Sequence, residues 1–475
     1  MNKILCMALI AQGIAGICVG TLVAEVPDIR ISLETAEHQT VENSARYRAA
    51  RAEAQAAIER VTQQSAFLAP RLSLDGSYRY AATVPELSIA GPGGSSVRKL
   101  SDNHSYSLGP SLTWTVWDAG GLKAGAHSAR SAAEAKQYDV EGVRRQLTLA
   151  CRTAYFQASL ASEQVTLYAD ALRLAVRQYN DVQKSARAGA RSRADELSAR
   201  QEVLTRQRQL SQAREDLAAN MRDLAALTGT DHADSTLLPL DSRLKDQHLE
   251  GVPAATHYVT LDPLDRMQER YRSYRNARVW DNHPNIESLN RLADAARYAA
   301  ESAAAGLWPR IAVNAKTSWE YPNGPTFEPF IQNAAGVSLS WALYESGASR
   351  ARSNEQQSAR DAALARRDQS ATDFRRDWEK AQDHLAALDD QEHIAAQAAQ
   401  EAEELSRIID RSYQAGGSTR LDVENANYRF LEARTQLVRV KTQKLLYYAI
   451  LASLADDKDG RGINDNDTWD GNEAR

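Results

Sequence analysis

Two hydroxyl–carboxylate pairs carry the sharpest local chemistry in the chain. Gly189, Ser192 and Asp195 in "AGARSRAD" and Gly416, Thr419 and Asp422 in "AGGSTRLD" share the frame Gly-x-x-Ser/Thr-x-x-Asp. Glycine in that place ends one helix in the left-handed conformation. A hydroxyl followed three residues later by an acid starts the next, each side chain taking up a free amide. A second pair of acids, Asp118 in "VWDAGG" and Glu345 in "LYESGA", stands just ahead of Gly120 and Gly347. A carboxylate there meets the positive end of a following helix, and the glycine permits unusual backbone angles. This is chemistry that shapes the backbone. The nine histidines are scattered, and the sequence holds no HExxH, paired-cysteine, phosphate-loop or Gly-x-Ser-x-Gly pattern. Glu401 and Glu404 with Arg407 read as a solvated helix face. No catalytic residue, cofactor or metal site is expected, and a net charge of −5 spread along the chain excludes a nucleic-acid footprint.

Both motifs occur twice because the chain is a tandem duplication. Gly120 and Gly347 lie 227 positions apart. The same shift carries "SLTWTVWDAGG" (111–121) onto "SLSWALYESGA" (338–348), the first tip onto the second, and "LAALTG" (224–229) onto "LASLAD" (451–456). Upstream, "LAPRLSLDGSYRY" (68–80) answers "LWPRIAVNAKTSWEY" (307–321) at an offset of 239, so the first copy has the longer loop. The boundaries that follow are a first repeat at 25–230, a connector at 231–281, a second repeat at 282–457 and a disordered tail at 458–475.

Each repeat has the same internal order. A helix precedes Pro70 or Pro309, a strand hairpin follows (71–117 and 310–344), and then a long helical hairpin (121–229 and 348–455). Richness in Ala, Gln, Arg and Glu suits long helices with thin apolar stripes. Cys151, Tyr155, Ala158, Ser162, Val165, Ala169, Leu172 and Val176 alternate steps of four and three, the narrow seam of a coiled coil. The stretch from Gly121 to Arg187 would be about 100 Å of helix at 1.5 Å per residue.

The strands alternate with a period of two. Leu72, Leu74, Tyr78 and Tyr80 alternate with Arg71, Ser73, Asp75, Ser77 and Arg79; Leu108, Leu112, Trp114 and Val116 with Ser107, Ser111, Thr113 and Thr115. In the second copy Ile311, Val313 and Trp319 alternate with Arg310, Asn314, Lys316, Ser318 and Glu320, and Val337, Leu339, Trp341 and Leu343 with Gly336, Ser338, Ser340 and Ala342. One apolar and one polar face suits either an antiparallel sheet lying on a core with its polar face in water or a transmembrane barrel; strands of about ten residues with aromatics near their ends favour the barrel. Four strands cannot close a barrel alone, and open edges cannot sit in lipid. The barrel must be shared between chains. Two chains would give a bore filled by side chains, and three an open one. The first residues, 1–24, read as a secretory signal. Cys18 raises the possibility of a lipid anchor, although Ile17 precedes it; removal of the signal leaves Cys151 without a disulfide partner.

The order helix, strand, loop, strand, long helix, tight turn, helix, duplicated behind a signal, resembles the TolC-like outer-membrane efflux proteins. The resemblance runs from residue 31 to about 457 and rests on Pro70 and Pro309, the "VWDAGG" and "LYESGA" strand ends and the two glycine turns. It implies a mainly α protein with a transmembrane β-barrel: a tandem-duplicated protomer with four strands and long coiled-coil helices, trimeric, with a twelve-strand barrel continued by a periplasmic α-helical tunnel. It implies no enzyme but an exit duct of a tripartite efflux or type I secretion system. The partners would be a homotrimer, a periplasmic adaptor, an inner-membrane pump and outer-membrane lipid. Trp114 and Trp341 would face lipid. Trp117 and Tyr344, three residues on, would fall on the other face at the mouth of the tunnel, beside Asp118, Gly120, Glu345 and Gly347. The glycine turns would form the periplasmic tip, where the adaptor docks and the aperture opens. Asp422 keeps one position of the family's acids, while Asn425 stands where some members place a second Asp. Tyr413, three residues before Gly416, has only Ala186 as its counterpart and so is equipped to hold the tunnel shut. Residues 231–281 would join a belt around the tunnel, and the loops 84–100 and 321–330 would lie outside the cell. The competing reading is a periplasmic or cytosolic coiled-coil scaffold without a channel.

Overall fold

The computed structural model describes residues 28–91, 94–230, 237–239, 257–276, 282–324 and 326–455. The expected signal (1–24), Cys18, the tail (458–475) and much of the connector lie outside the described residues.

Elements repeat in the order the duplication requires. In the first copy, α1 (Leu33–Asn43) and α2 (Ala45–Ala66) lead into β2 (Arg71–Tyr80) and β5 (His104–Trp117), then α3 (Gly121–Arg187) and α4 (Arg193–Thr228). In the second, α6 (Pro284–Ala305) leads into β8 (Arg310–Tyr321) and β9 (Phe330–Ser340), then α7 (Ala348–Gln414) and α8 (Arg420–Leu454). Both α3 and α7 have 67 residues and begin 227 positions apart. A serine explains the break between α1 and α2: Ser44 is extended, and its hydroxyl accepts from the Tyr47 amide at 3.3 Å, restarting the helix.

The core is a seam. Cys151, Tyr155, Ala158, Val165, Ala169 and Leu172 of α3 are fully buried, against Val203, Leu210, Leu217 and Met221 of α4 and Leu445 and Tyr448 of α8. Burial pushes the Cys151 thiol up to about 11, so it packs as a small hydrophobe. Helix α6 lies against both α3 and α7, and α2 against α3. Among the described residues no helix is long and apolar enough to cross a membrane.

The four long strands form one antiparallel sheet in the order β2-β5-β8-β9. The register keeps apolar beside apolar across it. Leu72 pairs with Leu112, Trp114 with Val313, and Val313 with Val337; on the other face Ser73 pairs with Ser111 and Thr113 with Asn314. Nothing among the described residues covers the apolar face: Leu72, Leu74 and Val337 are each 72% exposed. The outer edges of β2 and β9 have no strand partner among the described residues.

Three features depart from the sequence reading. The loop at 84–100 holds a hairpin, β3 (Glu86–Gly91) with β4 (Gly94–Lys99), an arm without a counterpart among the described residues of the second copy. Strand β9 stops at Ser340, short of the expected Trp341–Leu343, because Ser340 pairs with Arg310 and the next partner would be Pro309, which has no amide to donate. The connector is more than irregular chain. Strands β6 (Leu237–Pro239) and β7 (His257–Leu261) join β1 (Asp28–Ile31) in a parallel sheet ordered β1-β7-β6, followed by α5 (Leu264–Tyr271) and a 3-10 turn at Arg272–Asn276. Its partner strand lies more than 200 residues away in sequence. The buried Tyr155 ties this sheet to α3. Its hydroxyl donates to the Ile31 carbonyl at 2.7 Å and accepts from the Asp262 amide at 2.8 Å. Glu37 accepts from Arg152 Nε at 2.7 Å and from the Tyr271 hydroxyl at 3.0 Å beside it.

Candidate functional site

The residues singled out in the sequence gather at the two ends of the long helices. At one end the chain turns from strand into helix. Gly120 and Gly347 lie at φ of 83° and 85°, and the residues before them, Ala119 and Ser346, also have positive φ, 54° and 52°. Two left-handed residues in succession make the tight reversal, a conformation uncommon outside glycine. Asp118 holds the turn: its carboxylate accepts from the Gly120 amide at 3.2 Å and the Leu122 amide at 2.5 Å. Glu345 accepts from the Ser349 hydroxyl at 2.7 Å. Both acids face a helix start, where the dipole favours negative charge.

Paired tryptophans pin the strands to the preceding helices. Trp114 Nε1 donates to the Leu68 carbonyl at 3.0 Å and Trp341 Nε1 to the Leu307 carbonyl at 3.1 Å, the same bond in both copies. Trp117 departs from the alternation. A bulge between Thr115 and Trp117 sets Trp117 opposite Ile311, on the apolar face instead of the polar one, because the extra residue resets the period of two. Tyr344 lies past the end of β9 and is 87% exposed.

At the other end the two glycine turns are built alike. Gly189 and Gly416 have φ of 76° and 84°. Ser192 and Asp195 form a reciprocal capping box, with Asp195 N to Ser192 Oγ at 3.1 Å and Ser192 N to Asp195 Oδ2 at 3.1 Å. Thr419 and Asp422 repeat it at 3.2 and 2.8 Å. The Ser192 hydroxyl and amide hold the Asp195 carboxyl below the usual range, and Thr419 does the same for Asp422. Asn425, one turn on, is exposed.

The tips differ in what joins them. Tyr413, half-buried, lies under the Arg191 guanidinium of the other turn, 4.4 Å from ring centroid to Cζ. Its hydroxyl is buried without a hydrogen-bond partner among the described residues, so the contact is made by the ring. Behind it the buried Arg420 donates to Glu424 Oε1 at 3.0 Å and Gln178 Oε1 at 3.3 Å, and Ser198 Oγ donates to the same Glu424 oxygen at 3.2 Å. These bonds bind α8 to α3 and α4. Sequence reasoning missed Arg191, Gln178, Arg420 and Glu424, because one arginine among the many on these helices carries no local signal.

Among the described residues no group of His, Cys, Asp and Glu is placed to hold a metal ion. No curated protein matches the sequence. The solved structure of a membrane protein from Pseudomonas aeruginosa is similar in fold, at 16% identity over 89% of this chain and 93% of that one, with a TM-score of 0.68. The outer membrane protein VceC of Vibrio cholerae is similar at 17% identity, covering 89% and 95%, with a TM-score of 0.67. The open state of the MtrE outer membrane channel of Neisseria gonorrhoeae is similar at 16%, covering 89% and 88%, with a TM-score of 0.66. The family model described as outer membrane efflux protein matches residues 37–230 and 278–455, one stretch for each copy of the duplicated unit, and the chain belongs to that family.

Proposed function

We propose that this chain is one third of an export duct, passive in itself, that accepts cargo from an inner-membrane pump through a periplasmic adaptor. The observation that carries the reading is the bare sheet. Its apolar face is exposed in the single chain, and both outer edges lack partners among the described residues. Lipid satisfies the face, and copies of the same chain satisfy the edges, β9 of one against β2 of the next. Three copies close a barrel wide enough to conduct. The long helices then continue the bore through the periplasm, away from the membrane.

In this reading the glycine turns are the periplasmic aperture, and the Arg191–Tyr413 contact holds each protomer's two turns together in the closed state. Asp195 and Asp422 serve first as caps. Light scattering on detergent-solubilised protein tests the assembly: three chains per particle are expected, and a monodisperse soluble monomer would overturn it.

A further inference from the structure

The polar face of the sheet carries charges that differ between the two copies, with one exception. Matching the copies by the duplication sets Asp75 against Asn314, Ser77 against Lys316 and Arg79 against Ser318. Only the first residue of each leading strand, Arg71 in β2 and Arg310 in β8, is charged in both. Their surroundings correspond as well. Arg71 pairs across its hairpin with Thr113 and Arg310 with Ser340, which are themselves equivalent positions of the repeat. The Trp114 and Trp341 bonds fix the preceding segment in the same way in each copy.

Both guanidiniums are exposed, and neither has an acidic partner among the described residues. Arg310 donates to Thr115 Oγ1 at 2.7 Å, which sets it on the polar face of the sheet. The acids elsewhere on that face have partners of their own. Asp75 accepts from Ser111, and Glu320 accepts from Ser318 at 2.6 Å and faces Lys316 at 3.4 Å. Asp118 and Glu345, at the same end of the sheet, are turned toward their helix starts. Arginine keeps its charge at any physiological pH.

We propose that Arg71 and Arg310 form an anion-selective ring on the lumen side where barrel meets tunnel. The ring rests on the trimeric channel proposed above: two positions per chain, related by the duplication, become six round the bore under threefold symmetry. Rings of basic side chains favour anions in narrow pores. The ligand class is small anions and cargo bearing carboxylate, sulfate or phosphate groups, drawn from the tunnel into the barrel.

The test is the reversal potential of purified trimers in planar bilayers under a potassium chloride gradient. The R71Q/R310Q double variant is expected to lower the chloride-to-potassium permeability ratio severalfold. R71K/R310K should keep the ratio of the unmodified protein, and each single glutamine variant should fall between. The periplasmic tip is the same in every variant, so a difference in the ratio between variants reports the ring. An unchanged ratio in assembled R71Q/R310Q trimers would overturn the ring while leaving the channel intact. Where the double variant fails to assemble, the single variants decide in the same way. Light scattering showing no trimer of the unmodified protein would remove the channel reading, and the ring with it.

Discussion

Tyr413→Leu should open the periplasmic end. The ring lies 4.4 Å from the Arg191 guanidinium, across the gap between the two turns of one protomer. A cation over an aromatic ring at a partly exposed site is worth about 0.5–1 kcal/mol. If the aperture opens as one threefold step, three such contacts break together, about 1.5–3 kcal/mol, or roughly a ten- to hundredfold rise in the open-to-closed ratio. Arg191→Ala should match it, and the double variant should add little, as expected for two halves of one contact. Tyr413→Phe is the informative control. The hydroxyl has no partner among the described residues, so its loss should leave the closed state nearly intact. The assay is single-channel recording in planar bilayers, on protein whose trimeric state is checked by light scattering. Unchanged open probability in assembled Tyr413→Leu trimers would refute the latch. A Phe variant as open as the Leu variant would mean that the hydroxyl, not the ring, makes the contact.

Leu74→Arg, which sets a charge near the middle of β2 on its exposed apolar face, should cost about 2–4 kcal/mol in the membrane and reduce trimer yield on size-exclusion chromatography. Ser73→Arg, on the opposite face of the same strand, should assemble normally. Tyr155→Phe leaves the Ile31 carbonyl and the Asp262 amide without their buried partner, a loss of about 1–3 kcal/mol, seen as faster amide exchange across β1 and β7 while the tips stay unchanged. Ser192→Ala removes half of a capping box and should fray the first turn of α4, at about 1 kcal/mol. Both capping carboxyls are depressed below their ordinary value of 3.8 in the fold. Their contribution is therefore complete above about pH 4 and is lost as the pH falls through the lower folded values. Protection of the tip amides, taken relative to the intrinsic exchange rate at each pH, should fall only in that acidic range.

What was legible in the sequence was whatever depends on local spacing. The step pattern from Cys151 to Leu172 marks the buried seam, and the alternation in β2, β5 and β8 marks two faces that the register later keeps apart. The capping boxes were legible because a hydroxyl and an acid three residues apart meet within a single turn. Features set by distant neighbours were not. The end of β9 depends on Pro309 lying opposite, the bulge at Thr115 on its pairing with β8, and the sheet of β1 and β7 on a partner at the far side of the first repeat. The latch shows the difference most plainly. Tyr413 stood out because its counterpart in the other copy is an alanine, yet an aromatic without a known partner predicts no particular bond. Only the fold brings Arg191 over its ring and, among the described residues, leaves the hydroxyl unpaired, which puts the contact on the ring. Duplication works in the opposite direction at Arg71 and Arg310. There the two copies agree where nothing in the sheet requires a charge. Agreement between copies in sequence, register and anchoring bond makes a single exposed arginine an argument about the symmetry of the bore.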